Sequence, residues 1–248
     1  PPFSIEVTLY GATEKTYERI TGVPGSYERC LRGIRLLQSR GLPLKLKTVV
    51  LQSNRHELEA MQHLAENELG LEFKYDAGIN PRLDFSLAPL AERLTPDEIV
   101  ALDRCDSRRM QEWQSFADRF TGPAQAAGHE NDLYHCGAGI SEFAIDSDGR
   151  LSLCAFASEE TWDLHTGSFR EGWDSVIHAV RNKKISKQTK CTDCGLKAMC
   201  GMCPANAQLE NGEPEQPVDF LCRVAHLRAE ALGISVPEHG ECEYCNHT

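Results

Sequence analysis

The chain has 248 residues, of which 41% are hydrophobic and 25% charged, and its formal net charge is −11 at pH 7. This length suits one full domain with a smaller one, or two modest domains. The acidic balance, with Lys and Arg scattered along the chain, argues against a nucleic-acid partner. No apolar run approaches the roughly 18 residues of a membrane span, and no signal peptide is recognisable, so we expect a cytoplasmic protein without membrane attachment.

The N-terminal third alternates predicted strands and helices. Strands are predicted at 4–10, 44–51 and 71–75, separated by one helix capped by Ser26 and another capped by Asn54. Right-handed crossovers between such strands imply a parallel sheet. Three strands can neither close a barrel nor cover both faces of a sheet, so this part predicts an incomplete α/β barrel.

Two polar residues follow the third predicted strand. Asp76 and Asn80 lie at its carboxyl end, where barrels of parallel strands collect their catalytic and ligand-binding groups. We therefore expect both residues at a cofactor or substrate site.

A helical region is predicted next. Thr95-Pro-Asp-Glu98 is a capping box with proline at the first helical position, and a second helix is predicted over 109–120. The segment 121–128 is small, polar and rich in helix breakers, which predicts a linker. The expected domains are a barrel part at 1–94, a helical linker at 95–128, a small α+β cysteine-rich domain at 129–234 and a cysteine-containing tail at 235–248.

Four closely spaced cysteines form the most informative pattern. Cys191, Cys194, Cys200 and Cys203 are separated by two, five and two residues, and Pro204 follows. Zinc fingers and ribbons usually need about a dozen residues between their ligand pairs, so the short gap favours iron-sulfur, although both metals accept thiolates. Runs ending in Cys-Pro are typical of bacterial ferredoxins, in which the last cysteine ligates the other of two clusters. The sequence predicts two iron-sulfur clusters, with zinc as the alternative.

The predicted local structure also indicates where three more cysteines lie. A hairpin with Gly149 in its turn is predicted to return Cys154 towards Cys136. A helix predicted over 219–232 aims Cys222 at the core from its first turn. In addition, the cysteines at 200 and 203 are predicted to share one helical turn and to face inward together.

The order of these seven cysteines and Gly149 closely resembles the SPASM domain, the auxiliary-cluster domain of many radical S-adenosylmethionine (SAM) peptide-modifying enzymes. The departure is the last gap of the run, two residues where three are more usual. The resemblance implies two [4Fe-4S] clusters, an outer one held by Cys191, Cys194, Cys200 and Cys222, and an inner one held by Cys136, Cys154 and Cys203. The fourth inner ligand is left open between a protein group, a substrate atom and solvent.

The N-terminal part resembles the second half of the radical SAM partial barrel. The segments that carry this resemblance are 7–26, 48–50 and 54–58. Families of this kind place a strand ending in glycine, then an arginine, then an asparagine before the next helix. The resemblance implies SAM contacts at Thr8, Arg19 and Thr48.

The spacing Cys-x3-Cys-x2-Cys, which the SAM-cleaving cluster needs, does not occur in this sequence. We therefore expect part of a longer or split protein that is inactive by itself, with the missing barrel half as its partner in cis or in trans. The expected function is the auxiliary-cluster and substrate-handling part of a maturase that modifies a ribosomally made peptide or protein. A non-catalytic iron-sulfur electron-transfer protein or partner subunit is the alternative.

The C-terminal tail carries two further thiols. Cys242 and Cys245, flanked by His239 and His247, are candidates for a zinc site, for the missing inner-cluster ligand or for a redox pair. A frayed chain end with incidental thiols is the alternative interpretation.

Overall fold

The computed structural model describes residues 2–120, 131–192 and 194–235. The breaker-rich segment 121–128 of the predicted linker and the two tail cysteines, Cys242 and Cys245, lie outside these ranges. Within them, the chain is a mixed α/β protein with one small parallel sheet and one small antiparallel sheet. No helix in the described ranges has the length and apolar character needed to cross a membrane.

The chain divides into two compact units. The first runs to Ile79 and includes Pro89–Leu94. The second holds Asn80–Ala88 and the chain from Thr95 onward. The helical segment that was expected as a linker is therefore grouped with the cysteine-rich part.

Three parallel strands form the sheet of the first unit, in the order β1-β2-β3. This confirms the predicted parallel arrangement. The strands are β1 (Ile5–Thr8), β2 (Leu44–Val49) and β3 (Phe73–Asp76). The helices are α1 (Glu14–Thr21), α2 (Ser26–Ser39) and α3 (Leu58–His63), with a 3-10 turn at Arg55–Glu57 and a π-helical turn at Leu64–Glu68 on either side of α3.

One face of this sheet carries the core of the unit. Leu9, Leu46 and Phe73 from the sheet are almost fully buried against Ile34 of α2 and Met61 of α3. Their alternation along the strands places every second residue on the covered face. Most of the intervening positions are polar, and they form the opposite face.

Asn54 has a different role from the predicted helix cap. It is fully buried, and its Oδ1 accepts a hydrogen bond from the backbone N–H of Leu51 at 2.7 Å. Its Nδ2 donates to the carbonyl oxygens of Val49 at 3.0 Å and Tyr10 at 3.2 Å. Asn54 thus ties the ends of β1 and β2 together, while the following helix starts with a short 3-10 turn.

The second unit combines helices with a small antiparallel sheet. Its first helices are α4 (Pro96–Cys105) and α5 (Ser107–Phe120), and its strands are β4 (Ala144–Ile145), β5 (Arg150–Ser152) and β6 (Thr161–Asp163). The remaining helices are α6 (Phe169–Gly172), α7 (His178–Arg181), α8 (Lys197–Cys200), α9 (Pro204–Asn211) and α10 (Asp219–Ala231), with a π-helical turn at Trp173–Ile177 between α6 and α7.

Two local predictions for this unit are confirmed. Thr95 and Glu98 form the reciprocal capping box at the start of α4, with Pro96 in the first turn. Gly149 has a φ of 75° in the turn between β4 and β5, a left-handed conformation that glycine adopts without steric cost. A third strand, β6, was not predicted.

A buried ion triad joins α4, α5 and α10. Asp103 is 1% exposed, and its Oδ1 accepts hydrogen bonds from Nε and Nη2 of Arg109 at 2.9 and 2.7 Å. Its Oδ2 accepts one from Nε of Arg228 at 2.8 Å. The guanidinium of Arg228 also lies 4.0 Å from the ring centroid of Trp113. The triad therefore fixes α10 against the two preceding helices.

Candidate functional site

The polar face of the parallel sheet is a ladder of opposite charges. Lys45 lies 2.6 Å from Glu72, Lys47 lies 2.8 Å from Glu6, and Lys74 lies 3.2 Å from Glu72. These side chains are all more than one-third exposed. This face is therefore a charged wall suited to a polar ligand.

The strand register separates the predicted SAM-contact residues. Thr8 is the partner of Lys47, and Asp76 follows Lys74 by two residues, so both belong to the charged face. Thr48 instead alternates with Leu46 on the helix-covered face and is 2% exposed. The structure brings Thr8 and Asp76 to one face and leaves Thr48 on the other.

Arg19 and Asn80, the other two residues predicted to bind the cofactor, are exposed. Arg19 lies in the last turn of α1 and donates a hydrogen bond from Nη2 to the carbonyl oxygen of Ser53, near the carboxyl end of the sheet. Asn80 is exposed and belongs to the second unit. Asp76 is exposed as well, and its Oδ1 accepts a hydrogen bond from the backbone N–H of Gly78 at 2.9 Å.

Glu57 is a residue at this edge that sequence reasoning missed. One carboxylate oxygen accepts hydrogen bonds from the backbone N–H groups of Ala12 at 2.7 Å and Thr13 at 3.1 Å. The other accepts from the hydroxyls of Thr13 at 2.7 Å and Thr16 at 2.5 Å. Partial burial would raise the pKa of Glu57, but these hydrogen bonds outweigh it and lower the pKa overall. The carboxylate therefore anchors the loop after β1.

Replacing Glu57 by alanine should lower the free energy of unfolding by about 2–3 kcal/mol, because it leaves the N–H groups of the loop without an acceptor. Glu59→Ala is the matched control. That side chain is exposed, so its loss should change stability by less than about 0.5 kcal/mol. Urea unfolding followed by circular dichroism measures both, and equal effects would contradict the anchoring role.

The Glu57 contribution should also depend on pH. Since folding lowers its pKa below the ordinary value of 4.5, the stabilisation is complete above that pH. It is lost as the pH falls through the lower pKa of the folded state. The stability difference between the native chain and Glu57→Gln should therefore shrink on acidification below about pH 4.5.

Three thiols of the second unit influence one another electrostatically, and we name them the inner trio: Cys136, Cys154 and Cys203. Burial raises the pKa of Cys203, the N–H groups at the start of α9 lower it, and negative charge on the other two raises it further. Burial also raises the pKa of Tyr134, as does negative charge on all three sulfurs. The pKa of the buried Tyr134 phenol therefore depends on the charge of all three sulfurs of the inner trio.

A second group, the outer trio, comprises Cys191, Cys194 and Cys200. Burial raises the pKa of Cys191, and so does negative charge on Cys194. The pKa of Cys200 rises to about 12, chiefly through burial and also through negative charge on the other two sulfurs. Among the sulfurs, those of the outer trio itself contribute most to the raised pKa values of Cys191 and Cys200.

Backbone N–H groups face sulfur atoms in both trios. The sulfur of Cys154 accepts a hydrogen bond from Ala157 N–H at 3.4 Å, and that of Cys194 accepts one from Leu196 N–H at 3.4 Å. Such hydrogen bonds favour the thiolate, the form that binds metal. The donor set, all thiols with N–H support, fits iron-sulfur clusters.

Cys222 lies in the first turn of α10 and is 8% exposed, as predicted for an inward-facing thiol. Its sulfur is 3.8 Å from Nε2 of His226, one turn further along the helix. Helix α10 packs against α8, which ends at Cys200 of the outer trio.

The predicted shared helical turn of Cys200 and Cys203 is wrong. Cys200 ends α8, and Gly201 then takes a left-handed φ of 66° that stops the helix. Cys203 has extended backbone and precedes Pro204, the first residue of α9. Separate helices therefore support the two thiols, and each can serve a different site.

A single-ion site is absent from the described parts of the chain. Within residues 2–120, 131–192 and 194–235, no three His, Cys, Asp or Glu side chains are grouped to hold one metal ion.

An aromatic groove lies elsewhere on the second unit. It has a volume of about 350 Å³ and is lined by Ile140, Ser141, Phe143, Phe169, Arg170 and Trp173. Phe169 stacks on Trp173 at 5.7 Å, and Phe143 meets both rings edge-on. Ile140 is 67% exposed. An exposed apolar surface with one cation at its rim suits binding of another molecule.

No protein-family model matches the chain. In an alignment that covers 84% of its length, it is 24% identical to an AdoMet-dependent heme synthase of Methanosarcina barkeri, covering 64% of that protein. Over 86% of its length it is 20% identical to an AdoMet-dependent heme synthase of Nitratidesulfovibrio vulgaris, covering 63% of it. A probable GTP 3′,8-cyclase of Saccharolobus islandicus is 26% identical in an alignment that covers 64% of this chain and 53% of the relative.

These relatives indicate that the chain is related to the radical SAM superfamily. Its match spans less than two-thirds of the length of each of them. The names of the two heme synthases specify dependence on AdoMet.

Proposed function

We propose that this chain supplies two auxiliary [4Fe-4S] clusters and part of the substrate-binding wall to a radical SAM enzyme. The observation that carries the proposal is the grouping of six thiols into two trios, each with a backbone N–H directed at one of its sulfurs, in a chain related to that superfamily. The SPASM-like spacing of the cysteines gives independent support.

The inner trio would hold one cluster, and the outer trio with Cys222 the other. When bound, such clusters accept or supply one electron at a time. The chain's own contribution is to cover most of the thiols partly, to direct backbone N–H groups at the sulfurs of Cys154 and Cys194 and to place Tyr134, which is 7% exposed, beside the inner trio. These features limit the access of water and fix the orientation of the ligands.

The substrate that we propose is a ribosomally made peptide or protein. The resemblance to peptide-modifying enzymes supports it, as does the exposed aromatic groove with Arg170 at its rim. Such a surface suits a peptide segment that presents an apolar side chain beside a carboxylate. A heme precursor is a second candidate, favoured by the two heme synthases that match 84% and 86% of the chain.

A simple electron carrier explains the molecule less well. The first unit is a parallel sheet with a charged, open face and polar residues at its carboxyl edge. A carrier needs a cluster and a docking surface, and this sheet serves neither purpose. The charged face instead supports a role in holding SAM or substrate, with Thr8 and Asp76 as the residues on that face.

Protein reconstituted with iron and sulfide without oxygen should bind about eight irons and eight sulfides per chain, because two cubes hold four of each. Metal analysis and low-temperature electron spin resonance of the reduced protein measure this. The control is the variant in which the cysteines at 191 and 194 are alanine, which should retain about half the iron. One equivalent of zinc and no iron in protein never exposed to oxygen would contradict the proposal.

A further inference from the structure

Among the described residues, Asn206 is one of four whose side chains have a buried polar atom without a hydrogen-bond partner. Its side chain is 5% exposed, and its Oδ1 has no hydrogen-bond donor among the described residues. An unsatisfied buried acceptor costs about 1–3 kcal/mol, so native proteins rarely keep one without a function. The structure therefore implies a group that this oxygen binds.

The position of Asn206 points to that group. Cys203 directly precedes α9, and Asn206 lies one turn into the helix, three residues later. Cys203 is the N-cap residue of α9 and Asn206 is the third residue of the helix, a pair whose side chains can reach towards each other at a helix start. Asn206 is therefore placed to direct its amide towards Cys203 of the inner trio.

The chemistry of the inner trio leaves room for an oxygen ligand. Three thiolates satisfy three irons of a [4Fe-4S] cube and leave the fourth without a protein ligand. An amide Oδ1 is an acceptor with two lone pairs and can be satisfied by a metal as well as by a donor hydrogen. We infer that Asn206, through Oδ1, is the fourth protein ligand of the cluster held by Cys136, Cys154 and Cys203.

This inference rests on the proposed two-cluster function and refines it. A neutral amide oxygen is a weaker and more readily displaced ligand than a thiolate, because soft sulfur donors suit iron-sulfur clusters better than hard oxygens. The inner cluster would therefore have one exchangeable position, at which a substrate donor atom can replace Asn206. The outer cluster, with four thiolates, would have none.

Two substitutions at position 206 test whether the Oδ1 oxygen, rather than the size of the side chain, supports the cluster. Asn206→Leu keeps the size and removes the oxygen, whereas Asn206→Asp keeps an oxygen ligand. Asn211→Leu, the same change at an exposed site on the same helix, is the matched control. The measurement is the rate at which mild oxidation converts the inner cluster into a three-iron form, followed by spin resonance.

We expect Asn206→Leu to accelerate this iron loss about tenfold, the size of effect seen when a group supporting a metal site is lost. Asn206→Asp and Asn211→Leu should match the native chain within about twofold. Cyanide, a ligand for open iron sites, should perturb the reduced signal of the inner cluster at a lower concentration in Asn206→Leu than in the native chain, where it has to displace Asn206.

Three outcomes would overturn the inference. Equal iron loss in the native chain and Asn206→Leu would do so, and the two-cluster function would stand as long as about eight irons are bound. Equal sensitivity of the native chain and Asn206→Ala to cyanide would do so even if Asn206→Leu fails to fold, because the native iron would then be as open as the iron without the amide. A native chain that binds only the outer cluster would overturn both the inference and the proposed function.

Discussion

Replacing Cys203 by alanine should remove one iron-sulfur cluster and leave the other intact, and replacing Cys222 should do the reverse. The physical reason is the separation of the thiols. Cys203 interacts with Cys154 and Cys136, whereas α10, which carries Cys222, packs against the helix that ends at Cys200. Each variant should lose about four of about eight irons.

Iron analysis together with low-temperature spin resonance distinguishes the two variants, because each should retain a different reduced signal. Cys105→Ala is the control, since this thiol is exposed at the end of α4 and belongs to neither trio. Loss of the same signal in both variants would show that Cys203 and Cys222 share a cluster. The inner site would then have to draw on Cys242 and Cys245.

Replacing Asp103 by alanine should lower the free energy of unfolding by about 3 kcal/mol, because it leaves two partly buried guanidinium groups without their shared carboxylate. Arg109 and Arg228 are only 20% and 15% exposed, so water replaces the lost acceptor incompletely. The same change should release α10 and weaken iron retention at the site that includes Cys222.

Asp97→Ala is the matched control on the same helix. Its carboxylate is 73% exposed and lies 4.0 Å from Arg223, so its loss should cost less than about 0.5 kcal/mol. Urea unfolding followed by tryptophan fluorescence gives both values. A loss of stability in Asp103→Ala no larger than in Asp97→Ala would show that the triad contributes little.

Those features that depend on neighbouring residues were predictable from the sequence. The capping box at Thr95, the left-handed turn at Gly149 and the alternation of strands and helices all follow from short-range stereochemistry, and the structure confirms them. The spacing of the cysteines carries the resemblance that implies two ligand sets, and these sets stay a prediction.

Features that depend on burial or on distant partners were not predictable. A helical turn over Cys200 and Cys203 was expected from their spacing, but Gly201 stops the helix between them. In the sequence, Glu57 looks like an ordinary charged residue. It accepts hydrogen bonds from a loop that lies more than 40 residues earlier, which local sequence does not show. In the sequence, Asn206 looks like an ordinary polar residue of a helix. Only the structure shows that it is buried and that its Oδ1 oxygen is unsatisfied.

The stacked pair in the aromatic groove also gives the molecule a built-in optical reporter. All three tryptophans, at positions 113, 162 and 173, belong to the unit that carries the thiol trios, and the parallel-sheet unit has none. Trp173 lines the groove itself. Tryptophan emission therefore follows occupancy of the groove and quenching by a nearby cluster without any label, whereas events in the parallel sheet must be followed through tyrosine.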